Sequence, residues 1–198
     1  MGDALPYVDL GSNRTVREVA AGNFHNCAIL DNNDLKCWGY NSNGQLGLGD
    51  KEARGDNTGE MGDSLPVVDV GSGRHAVKVT AGASHTCALL DDATVKCWGR
   101  GSSGRIGIVY DSESSLKYVG DDSGEMGDNL NPVSLGSDRT VIDLFTAQSQ
   151  NCVLLDNMKI KCFGSNRFGQ LGIGTADDQG DEDGEMGDNL PYLDVTLE

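Results

Sequence analysis

Basic charge is what this sequence has least of. Its 15 Lys and Arg stand against 31 Asp and Glu in 198 residues, a formal net charge of −16. A field of that sign repels phosphate backbones, so no nucleic-acid partner is expected. It also opposes docking on an anionic membrane leaflet. Long apolar runs are missing, and no membrane insertion is expected. No basic segment followed by an apolar stretch opens the chain, so no secretion signal is visible and the compartment must be read from other residues. Proline is scarce, at 4. No segment carries the 3.6-residue apolar period of an amphipathic helix. Neither G-x-S-x-G nor a P-loop nor H-E-x-x-H is present, and no catalytic residue is expected. The abundant residue is glycine, at 28, which suits tight turns between short strands.

The glycines fall in a repeated frame. Met-Gly-Asp recurs at Met1, Met61, Met126 and Met186, at intervals of 60, 65 and 60 residues. A cysteine follows each of the first three by 26 residues, at Cys27, Cys87 and Cys152. A second follows ten later, at Cys37, Cys97 and Cys162. Self-similarity at such a period marks a repeat architecture. Residues 1–60, 61–125 and 126–185 each hold one repeat, and 186–198 opens a fourth or supplies a closing strand. The middle repeat gains its length between Cys97 and Met126, where a long loop is expected.

Each repeat reads as short strands. In the second, Leu65–Val70 is β-branched and stops at Gly71-Ser72-Gly73, and Ala76–Thr80 alternates apolar and polar. His85–Leu90 and Thr94–Trp98 flank Asp91-Asp92-Ala93, a hairpin signal. Four strands per period predict an all-β fold of three tandem four-stranded propeller-type blades, as an incomplete propeller or an open array. A three-residue turn centred on Asn32 sets residue 27 opposite residue 37, and turns centred on Asp92 and Asn157 oppose the other pairs. Opposed residues approach to about 5.5 Å between Cα atoms, within disulfide reach. Ordinary zinc modules use other spacings. Disulfides Cys27–Cys37, Cys87–Cys97 and Cys152–Cys162, formed in an oxidising compartment, are the favoured reading. Reduced cysteines filling small buried positions are the alternative.

An acidic motif joins the repeats. It runs Gly55-Asp56-x-x-Gly59-Glu60-Met61-Gly62-Asp63, and again from Gly120 and from Gly180. Asp56, Glu60 and Asp63, then Asp121, Glu125 and Asp128, then Asp181, Glu185 and Asp188 offer hard oxygen ligands of the kind calcium takes, though the spacing is not that of an EF-hand. Solvated turns, capped by Asp and bent by Gly, account for the same residues. Arg54-Gly55-Asp56 reads as an integrin-type tripeptide, but the other copies carry Val119 and Gln179 at the Arg position. Asn13-Arg14-Thr15 is a glycosylation sequon, with Asn13 in a turn. His25 and His85 share a repeat position filled by Gln150 in the third copy, the behaviour of a structural hydrogen-bonding residue.

One stretch carries a family resemblance. Val19-Ala20-Ala21-Gly22, His25, Ala28-Ile29-Leu30-Asp31, Leu35-Lys36-Cys37-Trp38-Gly39 and Asn43-Gly44-Gln45-Leu46-Gly47 together resemble a blade of the regulator of chromosome condensation repeat family, in a cysteine-paired variant of secreted type. Copies two and three follow in register. Ala147, Gln150, Phe163 and Arg105-Ile106 depart from the pattern, and the third blade is expected to be the least regular. By analogy the resemblance implies an intracellular regulator such as a guanine-nucleotide exchange factor, or a proteinaceous enzyme inhibitor. The paired cysteines and the acidic surface favour a non-catalytic extracellular or cell-surface module that binds a protein partner or itself. Propellers close with 4–8 blades, and this chain encodes three. The opening Met1–Pro6 falls partway through a repeat, as if cut from a longer array, and Leu197-Glu198 has the look of a cloning remnant. Ring closure by two chains, or head-to-tail growth through the C-terminal strand, is therefore expected.

Overall fold

The computed structural model describes residues 6–108, 118–137 and 139–193. The expected readings of Met1–Leu5, of most of the long loop in the middle repeat, and of Asp194–Glu198 lie outside them. The described residues form three antiparallel sheets. The first holds β1 (Val16–Ala21), β2 (His25–Leu30) and β3 (Leu35–Gly39). The second holds β4 (Ala76–Ala81), β5 (His85–Leu90), β6 (Val95–Arg100) and the short β7 (Tyr118–Val119). The third holds β8 (Val141–Thr146), β9 (Gln150–Leu155) and β10 (Ile160–Gly164). No described helix is long and apolar enough to cross a membrane.

The hairpins follow from their turns. Leu30 N–H donates to Asp34 O at 2.9 Å, and Leu90 N–H donates to Thr94 O at 2.8 Å, leaving three-residue loops. Each loop ends in a left-handed residue, Asn33, Ala93 or Met158, as three-residue hairpin loops require. The count then places Cys27 opposite Cys37, Cys87 opposite Cys97 and Cys152 opposite Cys162. All three pairs are disulfide-bonded, with Cα atoms 4.0, 4.1 and 4.1 Å apart. That is closer than the spacing expected from the sequence. Because Leu30 N–H donates to Asp34 O, the cysteines fall on the alternate positions, where facing strands approach more closely.

The fourth strand differs from its expectation. Leu65–Val70 forms no ladder of its own. The outer edge of β3 is met at one end by Arg54, which exchanges two backbone hydrogen bonds with Gly39. At the other end Val68 N–H donates to Leu35 O. The outer strand of the blade is thus split, and the acidic motif is the excursion between its halves. The same contacts recur as Gly99 with Val119 and Val95 with Val133, and as Gly164 with Gln179 and Ile160 with Leu193. Pro66, without an N–H, suits so sparse an edge.

The blades stack in chain order. β4 packs against β1 and β2 on one side and against β8 on the other. One apolar cluster runs through all three, from Ile29, Leu35 and Leu46 through Leu90, Trp98 and Ile106 to Leu144, Val153 and Phe163. A smaller cluster of Leu10, Ala28, Leu30 and Leu65, with Trp38 and Met61 beside it, covers the far face of the first blade. The third blade keeps the strand pattern of the first, so its departures did not make it irregular. Its difference is exposure: Cys152, Leu154 and Ile160 are half-buried where Cys87, Leu89 and Val95 are closed off.

Candidate functional site

The acidic motif builds its own loop. Glu60 Oε2 accepts from the Gly55 and Asn57 N–H groups. Glu125 Oε2 accepts from Gly120, Asp121 and Asp122, and Glu185 Oε2 from Gly180, Asp181 and Glu182. Backbone donors from Asn57 and Gly55, with the Asn57 side chain, hold the Glu60 carboxyl down to about 2. The last aspartate of each motif faces elsewhere. Asp63 accepts from the Ser12 N–H and hydroxyl, Asp128 from those of Ser72, and Asp188 from those of Ser137. These bonds hold the Asp63 and Asp128 carboxyls below their usual range.

Of the nine carboxylates proposed as ligands, Asp121 and Glu125 come together, joined by Asp122, with their oxygens within 4.8 Å of one another. Asp128 is occupied by its serine. Asp121 is buried and meets Lys51 Nζ at 2.9 Å. Asp56 stays exposed in the first copy. Asp181 is raised to about 6 by burial and by the charges of Glu185 and Asp178.

Sequence reasoning passed over the residue that ties this motif to the sheet. Lys36, Lys96 and Lys161 are buried, each just before the second cysteine of its hairpin. Lys36 Nζ donates to Leu10 O and Gly62 O, Lys96 to Val70 O and Gly127 O, and Lys161 to Leu135 O and Gly187 O. The second acceptor in each case is the glycine of Met-Gly-Asp. A buried lysine needs such partners to offset desolvation. The signal was present: a lysine at one strand position in all three copies, where alternation alone allows any residue.

Between blades lies a repeated hydrogen-bond triangle. Thr86 Oγ1 donates to Gln45 O at 2.7 Å, so it accepts from His25 Nε2 at 2.8 Å. Asn151 Nδ2 donates to Arg105 O, and its Oδ1 accepts from His85 Nε2 at 3.0 Å. Both histidines therefore carry the proton on Nε2 and are neutral. Burial depresses His25 to about 4 and His85 to about 3. Trp98 Nε1 adds a bond to Gln45 O at 3.1 Å. The loops that provide these carbonyls press into the next acidic motif: Gly49 N–H donates to Gly120 O at 3.0 Å.

The remaining sequence signals are placed plainly. Arg54 is pinned by its backbone to Gly39 and by Nη2 to Asp50 at 2.6 Å, which removes its guanidinium from any Arg-Gly-Asp presentation. Asn13 is exposed in its turn, with φ 58°. Among the described residues the geometry sets out loops on a frame of disulfide-linked hairpins.

The known proteins agree with this frame. Models described as "Regulator of chromosome condensation (RCC1) repeat" match residues 16–45 and 76–105, and residues 35–89. The chain is 27% identical over 165 residues to the Ultraviolet-B receptor UVR8 of Arabidopsis thaliana, covering 82% of this chain and 32% of that protein. It is 27% identical over 165 residues to protein pim1 of Schizosaccharomyces pombe, covering 83% and 30%. It thus spans about a third of the length of these relatives. Yeast RCC1 (Prp20), solved with Kap60, superposes with a TM-score of 0.64 at 21% identity, covering 93% of this chain and 36% of that one. Repeats, blades and paired cysteines converge: the chain belongs to the regulator of chromosome condensation repeat family, in a variant whose hairpins are disulfide-linked.

Proposed function

We propose that the chain is a non-catalytic binding or structural module that works outside the cytosol. Its partners are protein, another copy of itself among them. The carrying observation is the disulfide in every blade. Such bonds persist in oxidising compartments and are kept reduced in the cytosol. The acidic surface and the fixed loops between blades suit recognition of a protein face. The alternative, an intracellular regulator such as an exchange factor, draws its support from relatives such as pim1 and from the propeller fold, which by itself does not carry function.

Thiol titration separates the two readings. The protein would be isolated from its native source with a thiol-blocking reagent, then denatured without reductant. No reactive thiol should appear. Free thiol at all 6 cysteines would sink the extracellular reading and leave the regulator.

A further inference from the structure

The contact between blades is a plug in a socket, and among the described residues the two ends of the stack carry one unmatched half each. The plug is the loop after the third strand. A Cβ on Gly44 would lie 2.5 Å from Asp121 N in the next blade, and one on Gly104 would lie 2.1 Å from Gln179 O. Gly47 packs on Trp98 and Met126, and Gly107 on Phe163 and Met186. The socket is the first glycine of the acidic motif. Gly120 is buried under Gly44 O and the Gly47 Cα, and Gly180 under Gly104 O and the Gly107 Cα.

In the third blade the plug is bare. Gly169 and Gly172 are exposed, Gly169 has nothing within 4 Å of its Cβ position, and Phe168 beside it is 87% exposed. In the first blade the socket is bare. Among the described residues Gly55 is exposed, and the atoms nearest its Cβ position belong to Met61 and Trp38 of its own blade. Gln150 and Asn26, which occupy the positions of the interblade histidine and its acceptor, are both half-buried.

We infer that the Gly169–Gly172 loop of one copy docks on the Gly55–Met61 socket of a second copy, extending the stack by the contact that already joins the blades. This rests on the proposed self-association and assigns it a surface. The second copy's Trp38 Nε1 then donates to Gln170 O of the first, as Trp98 does to Gln45 O. Two misfits lie on the innermost strands. Ala147 brings a methyl group to a position where Gly22 and Gly82 have none, and Asp143 comes to face Glu18 where Lys78 faces Asp143 inside the stack. The join is therefore weaker than the internal ones and depends on concentration and salt.

Sedimentation velocity over a range of concentrations at physiological ionic strength tests this. Gly169→Asn adds a side chain that tolerates the left-handed backbone of this position but fills the contact. Gly184→Asn is the control, because Gly59, Gly124 and Gly184 have open space in all three copies. Wild type and Gly184→Asn should associate as concentration rises, while Gly169→Asn stays monomeric with an unchanged circular dichroism spectrum. Association that survives in Gly169→Asn would overturn the plug and socket while leaving self-association standing. A wild type that is monomeric throughout would overturn both.

Discussion

A single methyl group explains two departures of the third copy at once. In the second blade the His85 ring lies over Gly82, where a Cβ would come within 2.2 Å of the imidazole. The third copy has Ala147 at the glycine position and Gln150 at the histidine position, so the ring that forbids a Cβ is gone where the Cβ is present. The histidines themselves make stability depend on pH. Their folded values, about 4 and about 3, lie below the unfolded value, so only the unfolded chain takes up protons as pH falls from about 6.5. Stability is full above that point and is lost below it, by roughly 2 kcal/mol per histidine at pH 5. Denaturant melts between pH 7 and pH 5 should show this slope, and His85→Gln should flatten about half of it. An unaltered slope in that variant would mean that His85 is not held neutral.

The hairpin is the element most legible in the sequence. Its register follows from counting outward from Asn32, Asp92 and Asn157, because every contact that sets it is local. The outer strand is not legible in the same way. Leu65–Val70 has strand-like composition, but its hydrogen-bond partner, Leu35, belongs to the preceding repeat, and pattern within a repeat cannot report it. The role of the acidic motif was open in the sequence for a related reason. Its carboxylates suggest ligands until the backbone donors that hold the glutamates and the serines that hold the last aspartates are known. Each disulfide closes a short loop and contributes about 2–3 kcal/mol by the chain-entropy estimate. Their accessibility differs. Cys27, Cys37, Cys87 and Cys97 are fully enclosed between blades, while Cys152 is partly open on the free face of the third. Brief reduction of the dilute native protein, followed by alkylation and peptide mapping, should therefore label Cys152 and Cys162 first. Equal labelling of all three pairs would show that the blades open together.

At the scale of the whole molecule, charge opposes the fold. A net −16 concentrated in loops repels itself, and nearby exposed charges are screened within about 10 Å at 0.1 M ionic strength. Added salt should therefore raise the melting temperature. The same experiment weighs calcium against plain screening. A specific site would stabilise by preferential binding to the folded state, beyond what ionic strength alone supplies. The geometry argues for screening only: Glu60, Glu125 and Glu185 each give an oxygen to backbone N–H groups, and Lys51 already sits on Asp121. After chelation, melting curves in sodium chloride and in calcium chloride matched for ionic strength should coincide. A further rise confined to calcium, and lost in Asp121→Asn, would make the cluster of Asp121, Asp122 and Glu125 a metal site and the acidic loops more than turns.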